Sequence, residues 1–149
     1  MAPGLFSADL ISPEVKEALP EGYTIRPLER GDYALGFLDV LRVLTTVGDI
    51  SQKAFEDRYD WMLSRNDAYF LLVILDDAKR VVGTGALIVE YKFIHNLGQV
   101  GHIEDIAVAK DQQGKKLGLR IIQALDYVAE KVGCYKVIAI LFFCFKRGT

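Results

Sequence analysis

The chain has 149 residues, which suits one domain, and 51% of them are hydrophobic, enough to fill one core. Eighteen lysines and arginines stand against 20 aspartates and glutamates, for a formal net charge of −2. That balance excludes the concentrated basic face that nucleic-acid binding requires and leaves local basic residues for, at most, one small anion.

Met1–Pro20 carries Pro3, Gly4, Pro13 and Pro20 around a weak helical patch. It reads as an N-terminal extension (1–20) that docks loosely or not at all, ahead of one domain over 21–149. It lacks the basic and apolar regions of a secretory signal, which predicts a cytoplasmic protein. Gly22–Pro27 alternates like a short strand. Asp32 is placed to cap a helix reaching Leu44, with Leu35, Leu38 and Leu41 at helical spacing. Asp49 followed by Gln52 resembles a capping box, opening a second helix that turns Phe55, Tyr59, Met62 and Leu63 to one side.

Tyr69–Leu75 is a continuous apolar run, as in a strand buried on both faces. A polar turn at 76–80 leads into a long strand, Val81–Phe93, forming a hairpin with it. Gly83 and Gly85 inside that strand predict a bulge or the close approach of another backbone. Asn96-Leu97-Gly98 reads as a loop and Gly101–Val108 as the next strand. A polar loop, Lys110–Lys116, then opens an amphipathic helix over Leu117–Lys131, with Leu117, Ile121, Ile122, Leu125, Val128, Ala129 and Val132 as its buried stripe. Gly133 ends it. Tyr135–Phe145 is a last strand, and its run from Val137 is too short to span a bilayer, so no membrane partner is expected. The two cysteines, Cys134 and Cys144, form no CxxC or Cys/His cluster; they read as reduced core thiols, with no metal site. The strand–helix–strand ending implies a parallel pair with a right-handed crossover, and the hairpin implies antiparallel pairing. The fold class is therefore α/β, a mixed, mostly antiparallel central sheet flanked by helices.

Chemistry concentrates where Ile103-Glu104-Asp105-Ile106-Ala107-Val108 runs into Gln112-Gln113-Gly114-Lys115-Lys116-Leu117-Gly118. A strand enters a loop, and the loop opens a helix. The first amides of a helix lack partners and carry partial positive charge, so together they hold an anion such as a diphosphate. Gly114 and Gly118 allow close backbone approach, and Lys115 and Lys116 add charge. Neither a Walker A loop nor a GxGxxG fingerprint is present.

This segment resembles the acetyl-CoA loop of the GNAT superfamily, with Lys116 at the place of the pattern's middle glycine. Leu44-Thr45-Thr46-Val47-Gly48, Gly101 to Val108, and Gly133-Cys134-Tyr135-Lys136 resemble, in order and spacing, segments of the glucosamine-6-phosphate N-acetyltransferases. The resemblance covers roughly 22–136. It implies acetyl transfer from acetyl-CoA, as cosubstrate, to the 2-amine of glucosamine 6-phosphate, on the way to UDP-N-acetylglucosamine. It implies that the pantetheine arm lies between the strands at 101–108 and 135–145. Ile106, Ala107 and Val108 then line that arm, with amides of Ile106 and Val108 on the thioester carbonyl. Gly114, Lys115, Lys116, Leu117, Gly118 and Leu119 hold the diphosphate. It points for the sugar to Thr45, to Lys92, Phe93, Ile94 and His95, and to Glu104 and Asp105. Lys92 and His95 meet the phosphate. Neighbouring strand residues face opposite ways unless a bulge intervenes. Glu104 is accordingly assigned to the amine, and Asp105 to backbone positioning or sugar contact.

The family has an active-site aspartate and tyrosine after the Gly133–Lys136 segment. Ile140 stands at the aspartate's place, and no tyrosine follows Tyr135. On that comparison the fold's last elements are missing. A homodimer is implied by the resemblance, but the family's edge strand at its interface has no counterpart here. The expectation is low or no turnover, with residual acetyl-CoA binding. The alternatives are a catalytically impaired remnant and a GNAT enzyme with another amine acceptor.

Overall fold

A computed structural model describes residues 3–139. Among these, five strands form one sheet in the order β1-β2-β3-β4-β5. They are β1 (Thr24–Pro27), β2 (Tyr69–Leu75), β3 (Val81–Tyr91), β4 (Gln99–Val108) and β5 (Cys134–Ala139). β1 to β4 pair antiparallel, and β4 and β5 pair parallel across helix α5 (Leu117–Lys131), as the chain order requires. The other helices are α1 (Pro13–Ala18), α2 (Phe37–Leu44), α3 (Gln52–Leu63) and a single turn, α4 (Ile94–Leu97). The α/β expectation of a mostly antiparallel sheet flanked by helices holds. The expected strand Tyr135–Phe145 is described as far as Ala139; its remainder from Ile140, and with it the expectation that the last elements are missing, lies outside the described residues.

The core forms where the sheet meets α5. Leu72, Val73, Ile74 and Leu87 of the strands are fully buried, as are Ile121, Leu125 and Val128 of the helix. Gly83 and Gly85 permit this contact. A Cβ at Gly85 would stand 2.5 Å from Ile121 Cγ2 and 2.7 Å from Ile106 Cδ1. The stripe expected on α5 is buried at Leu117, Ile121, Leu125, Val128 and Ala129, while Ile122 and Val132 are only partly covered.

Three expectations change. The helix expected from Asp32 is divided: Arg30–Tyr33 is a 3₁₀ turn, and α2 starts after Gly36 at φ 91°. Asp32 is not free to cap a long helix, because its 1% exposed side chain accepts from Arg26 at 2.9 and 2.7 Å and from the Glu29 N–H at 2.8 Å. Ser51, rather than Asp49, caps α3, its Oγ accepting from Ala54 N–H at 3.1 Å. The N-terminal segment is not loose. Leu5, Phe6, Ile11 and Val15 are buried. The Leu5 N–H donates to the Leu28 carbonyl at 2.8 Å, and Phe6 packs edge-on against Phe70. Its proline and glycine content had masked six apolar residues, Leu5, Phe6, Leu10, Ile11, Val15 and Leu19.

Candidate active site

Alternation along β4 alone sends Glu104 and Asp105 to opposite faces. A bulge overrides it. Ala86 pairs with Glu104 and Thr84 with Ala107, so Asp105 and Ile106 together stand opposite Gly85. Asp105 takes φ 54°, and both carboxylates line one cavity of about 570 Å³ with Tyr69, Ile88, Glu90 and His102. A carboxylate in such a cavity is equipped to take a proton from an ammonium group.

Glu90 and His102 extend this acidic wall. His102 Nε2 lies 3.0 Å from Glu90 Oε1, and Lys92 Nζ lies 3.7 Å from the same oxygen. The His102 hydrogen bond, then the Lys92 charge, hold the Glu90 carboxyl below the usual glutamate range. Sequence reasoning missed Glu90. The signal was the hairpin itself: Ile88 pairs with His102 and Ala86 with Glu104, which sets Glu90 on the same face as both.

Beyond the bulge, the backbone itself offers hydrogen-bonding groups. Ala109 N–H donates to the Val82 carbonyl at 2.9 Å. Alternation then turns the amides of Val108 and Ile106 away from β3, toward the β5 side. The described β4–β5 ladder runs from Gln99↔Cys134 to Ile103↔Ala139, ahead of these two amides. Ala107 itself faces the core.

At the mouth of α5, Gly114 has φ 89° and Lys116, the N-cap, has φ 60° with no side-chain capping bond. Arg120 N–H returns to the Lys116 carbonyl at 3.1 Å, so the amides of Leu117, Gly118 and Leu119 precede the first helical bond. Leu117, 1% exposed, anchors this turn in the core, while Leu119 is exposed. A Cβ at Gly114 would meet nothing within 4 Å, and one at Gly118 only Val108 Cγ2 at 4.0 Å. Free amides facing open room fit a diphosphate. Lys115 is tied back: its Nζ donates to Gln112 Oε1 at 2.9 Å and to Tyr23 Oη at 3.0 Å.

The remaining expected sugar residues are dispersed. Thr45, the C-cap of α2, lines a separate cavity of about 580 Å³ with Arg42, Val47 and Asp49. Lys92 reaches the acidic wall through Glu90. Phe93, 91% exposed, and Ile94 project at the β3–β4 tip. His95 stacks on Tyr135 with ring centroids 4.1 Å apart. His95, Asn96 and Leu97 all have positive φ, so the expected loop is a left-handed turn. Among the described residues no group of three or more His, Cys, Asp or Glu is placed to hold a metal, and no helix is long and apolar enough to cross a membrane.

The chain matches the model of the acetyltransferase (GNAT) family over residues 27–145. It is 50% identical over 120 residues to a glucosamine 6-phosphate N-acetyltransferase of Candida albicans, covering 80% of each chain. It is 40% identical over 119 residues to glucosamine 6-phosphate N-acetyltransferase 1 of Dictyostelium discoideum, covering 79% of this chain and 75% of that one. The crystal structure of glucosamine-6-phosphate N-acetyltransferase from Arabidopsis thaliana superimposes with a TM-score of 0.78 at 34% identity, over 80% of this chain and 82% of that one. With the sheet, the bulged β4 and the amide-lined mouth of α5 already in place, these likenesses put the chain in the GNAT acetyltransferase family, alongside the glucosamine 6-phosphate N-acetyltransferases.

Proposed function

We propose that the chain acetylates the 2-amine of glucosamine 6-phosphate, a step toward UDP-N-acetylglucosamine, in the cytoplasm. The relatives' names support the substrate, and the observation that carries the chemistry is the β4 bulge that turns Glu104 and Asp105 into one cavity. Acetyl-CoA supplies the acetyl thioester when bound. Glu104 takes the proton that must leave the substrate ammonium before nitrogen can attack, while Asp105 holds the sugar. The amides of Ile106 and Val108 polarise the thioester carbonyl, and those of Leu117 to Leu119 hold the diphosphate, assisted by the room at Gly114 and Gly118. Thr45, Lys92 and His95 are assigned to the sugar and its phosphate. The exposed tip residues Phe93, Ile94 and Leu97 support pairing of two copies, which sedimentation velocity reads directly.

Thiol release from acetyl-CoA with glucosamine 6-phosphate tests the reading. Glu104→Gln is expected to lower kcat by about 10² or more. An unchanged rate in that variant, or equal rates with unrelated amines, defeats it. Ile140, at the family aspartate's place, favours a second reading in which the donor binds but turnover is slow. Thermal shift with CoA, run beside the turnover assay, separates the two.

A further inference from the structure

A closed triangle of polar contacts joins the start of the chain's first strand to the loop before α5. Tyr23 Oη donates to Gln112 Oε1 at 2.5 Å, and Lys115 Nζ donates to both oxygens, at 2.9 and 3.0 Å. The ammonium also lies 5.4 Å from the centre of the Tyr23 ring. Gln112 is buried to 7% exposure at the end of a 3₁₀ turn, Lys110–Gln112, so its carbonyl oxygen is a fixed point. On the far side Arg80 holds that turn through Asp111 at 2.8 Å. Between Gln112 and the helix, the backbone passes through two positive-φ residues, Gly114 and Lys116, and Lys116 offers no side-chain cap. Among the described residues, Lys115 is the side chain that ties this stretch to the body of the protein.

We propose that Tyr23, Gln112 and Lys115 form a latch that holds the donor-binding loop in its anion-ready conformation. Lys115 is thus a positioning residue and not a phosphate ligand. Its charge is engaged by two acceptors that are themselves bonded to each other, and the diphosphate is left to the amides of α5. Tyr23, distant in sequence from the loop, becomes a determinant of donor affinity. The inference rests on the reading that the amides of Leu117 to Leu119 hold the diphosphate.

Calorimetric titration of the wild type, Tyr23→Phe, Lys115→Met and the double variant with CoA and with pantetheine, which lacks the diphosphate, tests it. The wild type is expected to bind CoA far more tightly than pantetheine. Tyr23→Phe weakens CoA about fivefold and Lys115→Met about tenfold, with the double variant within about twofold of Lys115→Met alone. Pantetheine affinity stays unchanged in all four, which a general loosening of the fold would not allow. Losses that multiply in the double variant overturn the latch, as does a CoA loss confined to Lys115→Met with a shallower salt dependence, the mark of a direct phosphate contact. If the wild type distinguishes CoA from pantetheine but Tyr23→Phe leaves CoA affinity intact, the latch alone falls. If the wild type does not distinguish them, the donor-loop reading falls as well.

Discussion

Lys116 holds φ 60° at the first turn of α5, where a side chain pushes Cβ against the following carbonyl. That conformation costs about 1–2 kcal/mol in any residue but glycine. Lys116→Gly relieves the strain but adds freedom to the unfolded chain, so the variant is expected to gain about 1 kcal/mol, or about 3 °C in Tm. Differential scanning calorimetry checks this, and a lower Tm refutes it. Asp105 at φ 54° carries the same kind of strain, and there the bent backbone delivers its carboxylate to the cavity. The acids that pair also set a pH response. Glu90 and Asp111 titrate below their ordinary values, each first because of a hydrogen bond, from His102 and Arg80 respectively. A depressed folded-state value means the stabilisation is present above the unfolded carboxylate range and is lost as pH falls through the folded one. Glu90→Gln should therefore lower Tm slightly at neutral pH and match the wild type in acid; a gap that widens on acidification contradicts it.

At the scale of elements, the contact of β3 with α5 and the mouth of α5 use glycine for opposite ends. Gly85 lies under Ile121 and Leu125, so Gly85→Ala forces them apart and is expected to cost about 2 kcal/mol in chemical denaturation. Gly118 faces open room, so Gly118→Ala should leave stability within about 0.5 kcal/mol while weakening CoA binding, because the added methyl enters the space proposed for the diphosphate. Reversal of this pattern would show that the two glycines are misassigned. Elements with one dominant signal were legible in the sequence. The apolar run Tyr69–Leu75 and the amphipathic Leu117–Lys131 match the observed bounds. The segment from Asp32 to Leu44 was not, because a buried pair with Arg26 outbid the cap, and such a partner leaves no local trace. In the site, Glu104 and Asp105 were legible as part of a motif. Their shared cavity was not, since a left-handed aspartate looks like any other aspartate in a sequence. The joining of Tyr23 to Lys115 depends on a loop meeting the start of β1, which no spacing rule encodes.

At the scale of the whole molecule, the apolar residues Leu5, Phe6, Ile11, Val15 and Leu19 are part of the core. Leu5 is fully buried, its N–H bonds Leu28, and α1 packs on α5. Leu5→Ala is expected to lose about 3 kcal/mol in urea titration, a result that a loosely docked tail would not give. The platform on which α1 and the preceding turn rest is more than ninety residues further along the chain. During synthesis on the ribosome, α1 therefore emerges long before α5 exists for it to rest on. The buried face of α1, Val15 included, stays open to chaperones or to neighbouring chains until α5 has left the exit tunnel, so this helix settles only after the whole sheet-to-α5 segment of the chain has been made.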